Sequence, residues 1–325
     1  MKSNKLKKVF IAGHNGMVGS AIFRKLKKVN NCILITKDRN ELDLTNQLQV
    51  KKFFEKERID QVYLAAAKVG GIYANNKFPA DFICQNLLIQ TNVIESSFLS
   101  GVKKLLFLGS SCIYPKFSDQ PIKEKELLNG KLEETNESYA IAKIAGIKLC
   151  EGFNRQYSKS HQIDYRSIMP TNLYGPGDNY HPTNSHVIPA LIRRIHLAKL
   201  NNQKEIEIWG TGNAKREFLH VNDLAKASIH IMNMDQNLYR KVINDFCSHI
   251  NVGTGIDIKI KDLVSLLIEI IGFRGKAIYD SSKPDGTPRK LLDISKIKDL
   301  GWQPQINLRD GLVSTYENFK NIEIL

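Results

Sequence analysis

Long hydrophobic runs are missing from this chain of 325 residues. No segment approaches the roughly 18 consecutive apolar residues that a membrane-spanning helix requires. The N-terminal segment is basic, but its apolar stretch is far shorter than the core of a signal peptide and leads directly into a glycine turn. We therefore expect a cytoplasmic protein that has no membrane partner.

Cysteine is scarce and scattered. The chain has 5 cysteines, an odd number, with no CxxC pair and no histidine-rich segment nearby. Neither a disulfide framework nor a zinc site of common spacing is predicted, and we expect no bound metal. Free cysteines suit a reducing compartment such as the cytoplasm.

Acidic residues are outnumbered by basic ones. The 47 Lys and Arg residues exceed the 33 Asp and Glu residues, which gives a formal net charge of +14. The basic residues are spread along helix-like segments and are not clustered with aromatic residues, so we expect no nucleic-acid partner. A positive surface would instead attract an anionic substrate and an anionic cofactor.

The apolar residues that are present alternate between two kinds of segment. Short apolar runs such as VFIAG (9–13) and CILIT (32–36) alternate with amphipathic runs such as AIFRKLKK (21–28). This alternation predicts βαβ units and an α/β fold with a doubly wound parallel sheet of the Rossmann type. Prolines interrupt the pattern beyond Pro170, and IPALIRRIHLAK (188–199) then predicts a helix.

The length of the chain favours two packed domains. We predict a dinucleotide-binding domain over residues 1–170, to which 217–250 return. A second, smaller α/β substrate domain is predicted over 171–216 and 251–325. The segment SKSHQID, which begins at Ser158 and precedes a strand, is predicted to be a surface loop.

A glycine triplet follows the first predicted strand and precedes a predicted helix. In this position Gly13 permits a tight turn, Gly16 lets a pyrophosphate approach the backbone, and Gly19 lets helix and strand pack closely. The second strand is followed by Lys37, Asp38 and Arg39. The two cations favour the 2′-phosphate of NADP, whereas the carboxylate between them leaves NAD open.

A second motif joins a predicted helix to the end of a predicted strand. Tyr139 and Lys143 stand four residues apart in YAIAK, so both side chains project from one helix face. Ser110 follows the apolar run KLLFLG, at the sheet edge where doubly wound folds bind ligands. The glycine triplet, the serine and the YxxxK segment, in this order, resemble the extended short-chain dehydrogenases/reductases.

The resemblance implies a role for each residue of this motif. Tyr139 would exchange a proton with a carbonyl group, and Ser110 would orient the carbonyl oxygen. Lys143 would bind the nicotinamide ribose and lower the pKa of Tyr139, since an ammonium about 4 Å from a phenolate contributes on the order of 4 kcal/mol at an effective dielectric constant of 20.

Further segments narrow the resemblance and extend it over nearly the whole chain. SSCIYP, which contains Cys112, and NSHVIPAL, which contains His186, are similar to epimerase/reductases that convert GDP-4-keto-6-deoxy-D-mannose to GDP-L-fucose with NADPH. There a Cys and a His are the acid/base pair of epimerisation, roles that the resemblance places on Cys112 and His186. Related dehydratases carry an acidic pair after the serine, which this chain lacks.

The resemblance therefore predicts an NADP-dependent oxidoreductase with epimerase activity, acting on GDP-4-keto-6-deoxy-mannose. The predicted catalytic residues are Ser110, Cys112, Tyr139, Lys143 and His186. The predicted cofactor-binding residues are Gly13, Asn15, Gly16, Met17, Val18, Gly19, Arg39, Leu64, Ala65, Ala66, Lys143, Pro170, Asn172, Leu173 and His186. The predicted substrate-binding residues are Arg194, Trp209, Arg216 and Asp285.

Other interpretations stay open at this point. The chain could be a nucleotide-sugar 4-epimerase or 4,6-dehydratase that retains NAD, or a non-catalytic dinucleotide-binding scaffold. Residue type alone would make Cys112 a small buried hydrophobic residue. Relatives pair two helices per subunit into a four-helix bundle, which implies a homodimer formed through 87–99 and 139–157.

Overall fold

The computed structural model describes residues 6–182, 184–283 and 286–322. The strands are, in chain order, β1 (Lys7–Ala12), β2 (Cys32–Ile35), β3 (Gln61–Leu64), β4 (Lys104–Leu108), β5 (Asp164–Pro170), β6 (Asn172–Tyr174), β7 (Glu205–Trp209), β8 (Lys215–His220), β9 (His249–Val252), β10 (Asp257–Lys259), β11 (Lys276–Asp280) and β12 (Arg289–Lys290). The α-helices are, in chain order, α1 (Met17–Val29), α2 (Gln47–Glu57), α3 (Ile72–Lys77), α4 (Pro79–Leu99), α5 (Glu137–His161), α6 (Val187–Leu200), α7 (Val221–Asn233), α8 (Gln236–Arg240), α9 (Ile260–Ile271), α10 (Ser295–Asp299) and α11 (Leu308–Lys320). Among the helices of these ranges, none is long and apolar enough to cross a membrane.

A six-stranded parallel sheet organises the first half of the chain. Its strand order is β2-β1-β3-β4-β5-β9. The strands β3, β4 and β5 are almost entirely buried, because α1 and α7 form one group of helices while α2 and α5 pack with α4 in another. The predicted doubly wound α/β fold is confirmed.

The strand order determines where a ligand can bind. The chain runs from β1 outward to β2 and then returns to β3 on the other side of β1. This reversal opens a crevice beyond the carboxyl ends of the strands, between the βα turns, and such a switch point is the usual ligand site of an open α/β sheet. The glycine triplet, Ala65 and Ser110 all follow strands at this edge.

Smaller sheets lie in the second half. β8 pairs with β10, β12 and β6, and β7 pairs with β11. A second cluster of buried apolar residues lies here, to which α6, α9 and α11 contribute Ile192, Leu267 and Phe319. The cluster around the first sheet also includes residues between 292 and 302, which lie within the predicted substrate domain. The domain boundaries stay a prediction.

Glu217 connects the two halves of the molecule. Its carboxylate is buried on β8 and accepts hydrogen bonds from the backbone N–H groups of Thr254 (2.6 Å), Gly255 (2.7 Å) and Leu292 (3.0 Å). Burial raises the pKa of Glu217, while these donors act in the opposite direction. One side chain thus fixes the turn after β9 and the segment after β12 to the centre of the smaller sheet.

The segment around Ser158 differs from the sequence prediction. α5 continues through His161, so Ser158 belongs to the helix and not to a surface loop. Lys159 and His161 lie in the last turn, where cationic side chains are favourable, and Gln162 ends the helix in a left-handed conformation. The Asn154 side chain also hydrogen-bonds the backbone of Tyr165, which ties the end of α5 to β5.

Candidate active site

A cavity of about 650 Å³ opens at the carboxyl edge of the six-stranded sheet. Its wall is formed by the turns that follow β1, β3, β4 and β5, together with the start of α5 and the residue before α6. The predicted catalytic residues Ser110, Tyr139, Lys143 and His186 all line it. One continuous space therefore joins the glycine loop to the YxxxK helix.

The glycine loop leaves room for a ligand against the backbone. Gly13 has φ +85°, and a Cβ there would lie 2.6 Å from Ala66 N. A Cβ on Gly19 would lie 2.1 Å from Gly13 O, so these positions accept no side chain. Gly16 precedes α1 and carries no side chain over the free N–H groups of that helix. This cradle suits the pyrophosphate of a dinucleotide.

The turn after β2 presents two cations and one carboxylate to the cavity. The Asp38 carboxylate accepts the backbone N–H groups of Asn40 (2.8 Å) and Glu41 (3.0 Å), so it caps its own turn. Lys37 forms an ion pair with Glu41 at 2.8 Å. Arg39 is exposed at the cavity, where its planar group can meet a phosphate.

The YxxxK pair lies at the centre of the cavity wall. The Ser110 side chain faces the Tyr139 phenol and acts to lower its pKa. Lys143 Nζ donates to the backbone carbonyl of Leu108 at 2.8 Å and lies 5.7 Å from the centre of the Tyr139 ring. Strand β4 and helix α5 therefore bring the three residues together, as the sequence predicted.

The pKa of Tyr139 is raised, whereas the sequence interpretation expected Lys143 to lower it. Burial is the largest cause, and the neighbouring Cys112 adds to it. Burial also lowers the pKa of Lys143 to about 8. The expected lowering of the Tyr139 pKa by Lys143 does not appear in this structure, where desolvation of the phenolate is dominant. Tyr139 is thus a protonated phenol at neutral pH, which is the form that donates a proton.

Cys112 is half-buried in a short 3₁₀ helix (Ser111–Ile113), next to Ser111 of the cavity wall, but does not itself line the cavity. Its Sγ donates to Ser110 Oγ at 3.2 Å. Burial raises the pKa of the Cys112 thiol, while the ammonium groups of Lys290 and Lys143 act in the opposite direction. The expected net lowering by a nearby cation is therefore not found, although two cations face the thiol.

Lys290 is a functional candidate that the sequence analysis missed. It lies on β12, which pairs with β8 beside Arg216. Burial and the charge of Arg216 lower the pKa of Lys290, and the Cys112 thiol raises it. Lys290 is far along the chain from SSCIYP and comes near this thiol through tertiary contacts, namely the pairing of β12 with β8 and the hydrogen bonds of Leu291 to Gln120 and Ile122.

His186 is the residue that precedes α6 and lies at the mouth of the cavity. Loss of hydration lowers its pKa below the ordinary value. At neutral pH the imidazole is therefore mainly neutral, so it must take up a proton before it can deliver one.

The remaining predicted residues divide between the cavity and other places. The predicted cofactor-binding residues line the cavity except Leu64, which is 1% exposed in the core. Arg194 Nη1 donates to the Glu207 carbonyl at 2.5 Å, and the Trp209 ring is 63% exposed. Arg216 donates to the carbonyl of Lys215 at 2.7 Å. These three residues lie outside the cavity wall, and Asp285 lies outside the described residues.

Several residues of the wall were not predicted. They include His14, Lys68, Val69, Gln85, Ser111 and Thr171. Lys68 and Val69 follow β3 and Thr171 follows β5, so their place after apolar strands was a usable signal. Across the described ranges, no group of three or more His, Cys, Asp or Glu residues is arranged to hold a metal ion.

Comparison with known proteins places this site among nucleotide-sugar enzymes. The family model described as NAD dependent epimerase/dehydratase family matches residues 9–253. The chain is 57% identical to a GDP-L-fucose synthase from Escherichia coli (strain K12), with 96% of each chain covered. It is 55% identical to GDP-L-fucose synthase 1 from Arabidopsis thaliana, covering 98% of this chain and 95% of that one.

A solved structure agrees with these similarities. The structure of a GDP-mannoheptose C4 reductase from Campylobacter jejuni with NADP bound is 40% identical to this chain and superposes with a TM-score of 0.88. The superposition covers 99% of this chain and 100% of that one. The likeness therefore extends over both halves of the molecule.

Proposed function

The chain belongs to the NAD dependent epimerase/dehydratase family and, within it, to the GDP-L-fucose synthases. We propose that it converts GDP-4-keto-6-deoxy-D-mannose to GDP-L-fucose with NADPH. The observation that carries this proposal is the single cavity shared by the glycine loop, Ser110, Tyr139, Lys143 and His186. A retained-NAD epimerase or dehydratase is not favoured, since the relatives at 55–57% identity are GDP-L-fucose synthases.

The reductive half of the reaction uses the Ser110–Tyr139 pair. The glycine cradle would hold the pyrophosphate of NADPH, and the bound cofactor would supply a hydride for C4 of the sugar. The Tyr139 phenol, kept protonated by burial, gives its proton to the C4 oxygen. Ser110, whose side chain faces the Tyr139 phenol, orients the same oxygen, and Lys143 provides a buried positive charge beside the pair.

The epimerising half requires an acid and a base on opposite faces of the sugar. A 4-keto group acidifies the hydrogens on C3 and C5, because the carbanion is delocalised as an enolate that Tyr139 and Ser110 can stabilise. In our proposal Cys112 removes the proton as a thiolate, helped by the ammonium groups of Lys290 and Lys143. His186 delivers the replacement proton from the cavity mouth.

The proposal is tested by cofactor consumption and product identity. Purified protein given GDP-4-keto-6-deoxy-D-mannose should oxidise one NADPH per sugar, followed at 340 nm, and NMR should identify GDP-L-fucose. If the absorbance at 340 nm does not change and a keto sugar is recovered, the proposal is contradicted. The alternatives, an epimerase or dehydratase that retains NAD, would then be favoured.

Arg39 is expected to set the preference for NADPH over NADH. Replacing Arg39 with alanine should weaken NADPH binding about 10- to 100-fold, since the 2′-phosphate loses a charge-assisted partner, and should leave NADH binding nearly unchanged. Calorimetric titration of both cofactors measures the effect. Lys37→Ala is the matched control, because Lys37 is already paired with Glu41. An equal loss of affinity for NADPH and NADH would show that Arg39 does not recognise the 2′-phosphate.

The finer assignments are also proposals. The second cluster, with Arg194, Trp209 and Arg216 on its elements, is proposed as the substrate domain. A homodimer is proposed through α4 and α5, supported by the exposed apolar side chains of Leu99 and Ile141. Sedimentation velocity would give a monomer mass if this is wrong.

A cytoplasmic location is supported by five cysteines that are all free.

A further inference from the structure

The segment 68–71, here called the strap, is the part of the connection between β3 and α3 that directly precedes α3. Lys68 and Val69 line the cavity. The buried Asn86 side chain holds Lys68 on both sides, accepting its N–H at 2.9 Å and donating to its carbonyl at 3.0 Å. The buried Asn75 side chain donates to the carbonyls of Gly70 (2.8 Å) and Gly71 (3.0 Å). Two buried amides thus fix the path of the strap.

The strap ends against the loop that carries His186. The Gly71 N–H donates to the carbonyl of Asn184 at 3.3 Å. A Cβ on Gly71 would lie 3.0 Å from the Ser185 carbonyl oxygen. The backbones of the two segments are therefore in close contact, and a methyl group on residue 71 would push against Ser185. His186 follows directly and lines the cavity. The position of its imidazole is therefore coupled to the strap through two residues of main chain.

We propose that Gly71 and Asn75 are positioning residues for His186, so that the strap sets the rate of proton delivery in epimerisation. This inference rests on the proposed function. Ser110, Tyr139 and Lys143 are held by β4 and α5 instead. A shift confined to the Gly71 end of the strap, with Lys68 still held by Asn86, would thus disturb the epimerising half of the reaction and leave the reductive half intact.

The two halves compete for the same 4-keto sugar, and this competition gives the inference a distinct signature. Hydride transfer to C4 removes the carbonyl that acidifies the hydrogens on C3 and C5, so reduction ends epimerisation. A chain with a misplaced His186 should reduce part of its substrate before both centres are inverted. Its products should then include GDP-6-deoxy sugars with one or both original configurations.

The test compares Gly71→Ala with Gly152→Ala. Gly152 lies in α5, and a Cβ there would have open space around it, so this variant controls for a methyl group without a clash. Gly71→Ala should slow solvent deuterium incorporation at C3 and C5 about 10-fold, because small displacements of a catalytic group have large effects on rate. Oxidation of GDP-L-fucose by NADP⁺, which needs no epimerisation, should match the Gly152→Ala rate. Asn75→Ala, which lacks the two hydrogen bonds to the strap, should show the same pattern.

The outcomes separate this inference from the proposed function. If the wild-type chain makes no GDP-L-fucose, the proposed function fails. If the wild-type chain makes it and both strap variants give the product mixture of Gly152→Ala, the inference is overturned. Equal losses of exchange and hydride transfer would also overturn it, since they would indicate a general disturbance of the fold.

Discussion

Replacing Cys112 with alanine should lower solvent deuterium incorporation at C3 and C5 by about 10³-fold, because it removes the proposed base of epimerisation. The thiol hydrogen-bonds Ser110 at 3.2 Å and faces two ammonium groups, which stabilise the thiolate that removes a proton. The measurement is NMR of the 4-keto sugar in deuterium oxide. NADPH is left out so that the substrate is not consumed by reduction.

The matched control for Cys112 is Cys84→Ala, because Cys84 is an exposed cysteine on α4. That variant should exchange at the wild-type rate. Oxidation of GDP-L-fucose by NADP⁺ should persist in Cys112→Ala, since hydride transfer needs Tyr139 and not the thiol. Wild-type exchange in Cys112→Ala would remove the cysteine from the mechanism and leave it as a packed hydrophobic residue.

Replacing Tyr139 with phenylalanine should reduce hydride transfer by about 10³-fold, because the C4 oxygen loses its proton donor. Exchange at C3 and C5 should fall less, since Ser110 still stabilises the enolate. Single-turnover oxidation of NADPH at 340 nm measures the first effect, and NMR measures the second. Tyr157→Phe is the control, because Tyr157 lies on the same helix outside the cavity wall. Its hydroxyl accepts a hydrogen bond from the Gln156 side chain at the surface. Equal rates for the two variants would exclude Tyr139 as the donor.

The fold class could be predicted because its signals are local. The strands β1 to β4 are largely apolar runs, and helices such as α1 carry an apolar face at helical spacing, so the alternation is visible in the sequence. The predicted helix over 188–199 is confirmed as α6. The end of α5 was misplaced, because the polar segment after Tyr157 gives no apolar pattern that distinguishes a helix from a loop.

The candidate site was predictable where its residues follow strands or share a helix face. Gly13, Ser110 and the Tyr139–Lys143 pair fall in this group. The shift in the pKa of Tyr139 was not predictable, because burial depends on neighbours distant in the chain. Lys290 was missed for the same reason, since contacts between segments distant in the chain bring it to the thiol.

The place of β9 at the edge of the first sheet also bears on how the chain is made. During synthesis on the ribosome, β5 emerges well before β9, and β6, β7 and β8 are translated between them. A nascent chain that ends before His249 therefore carries an unfinished parallel sheet whose free edge can pair with another chain. A gene fragment cut after β5 would encode a protein prone to aggregation, and chaperone demand should be greatest just before β9 leaves the exit tunnel.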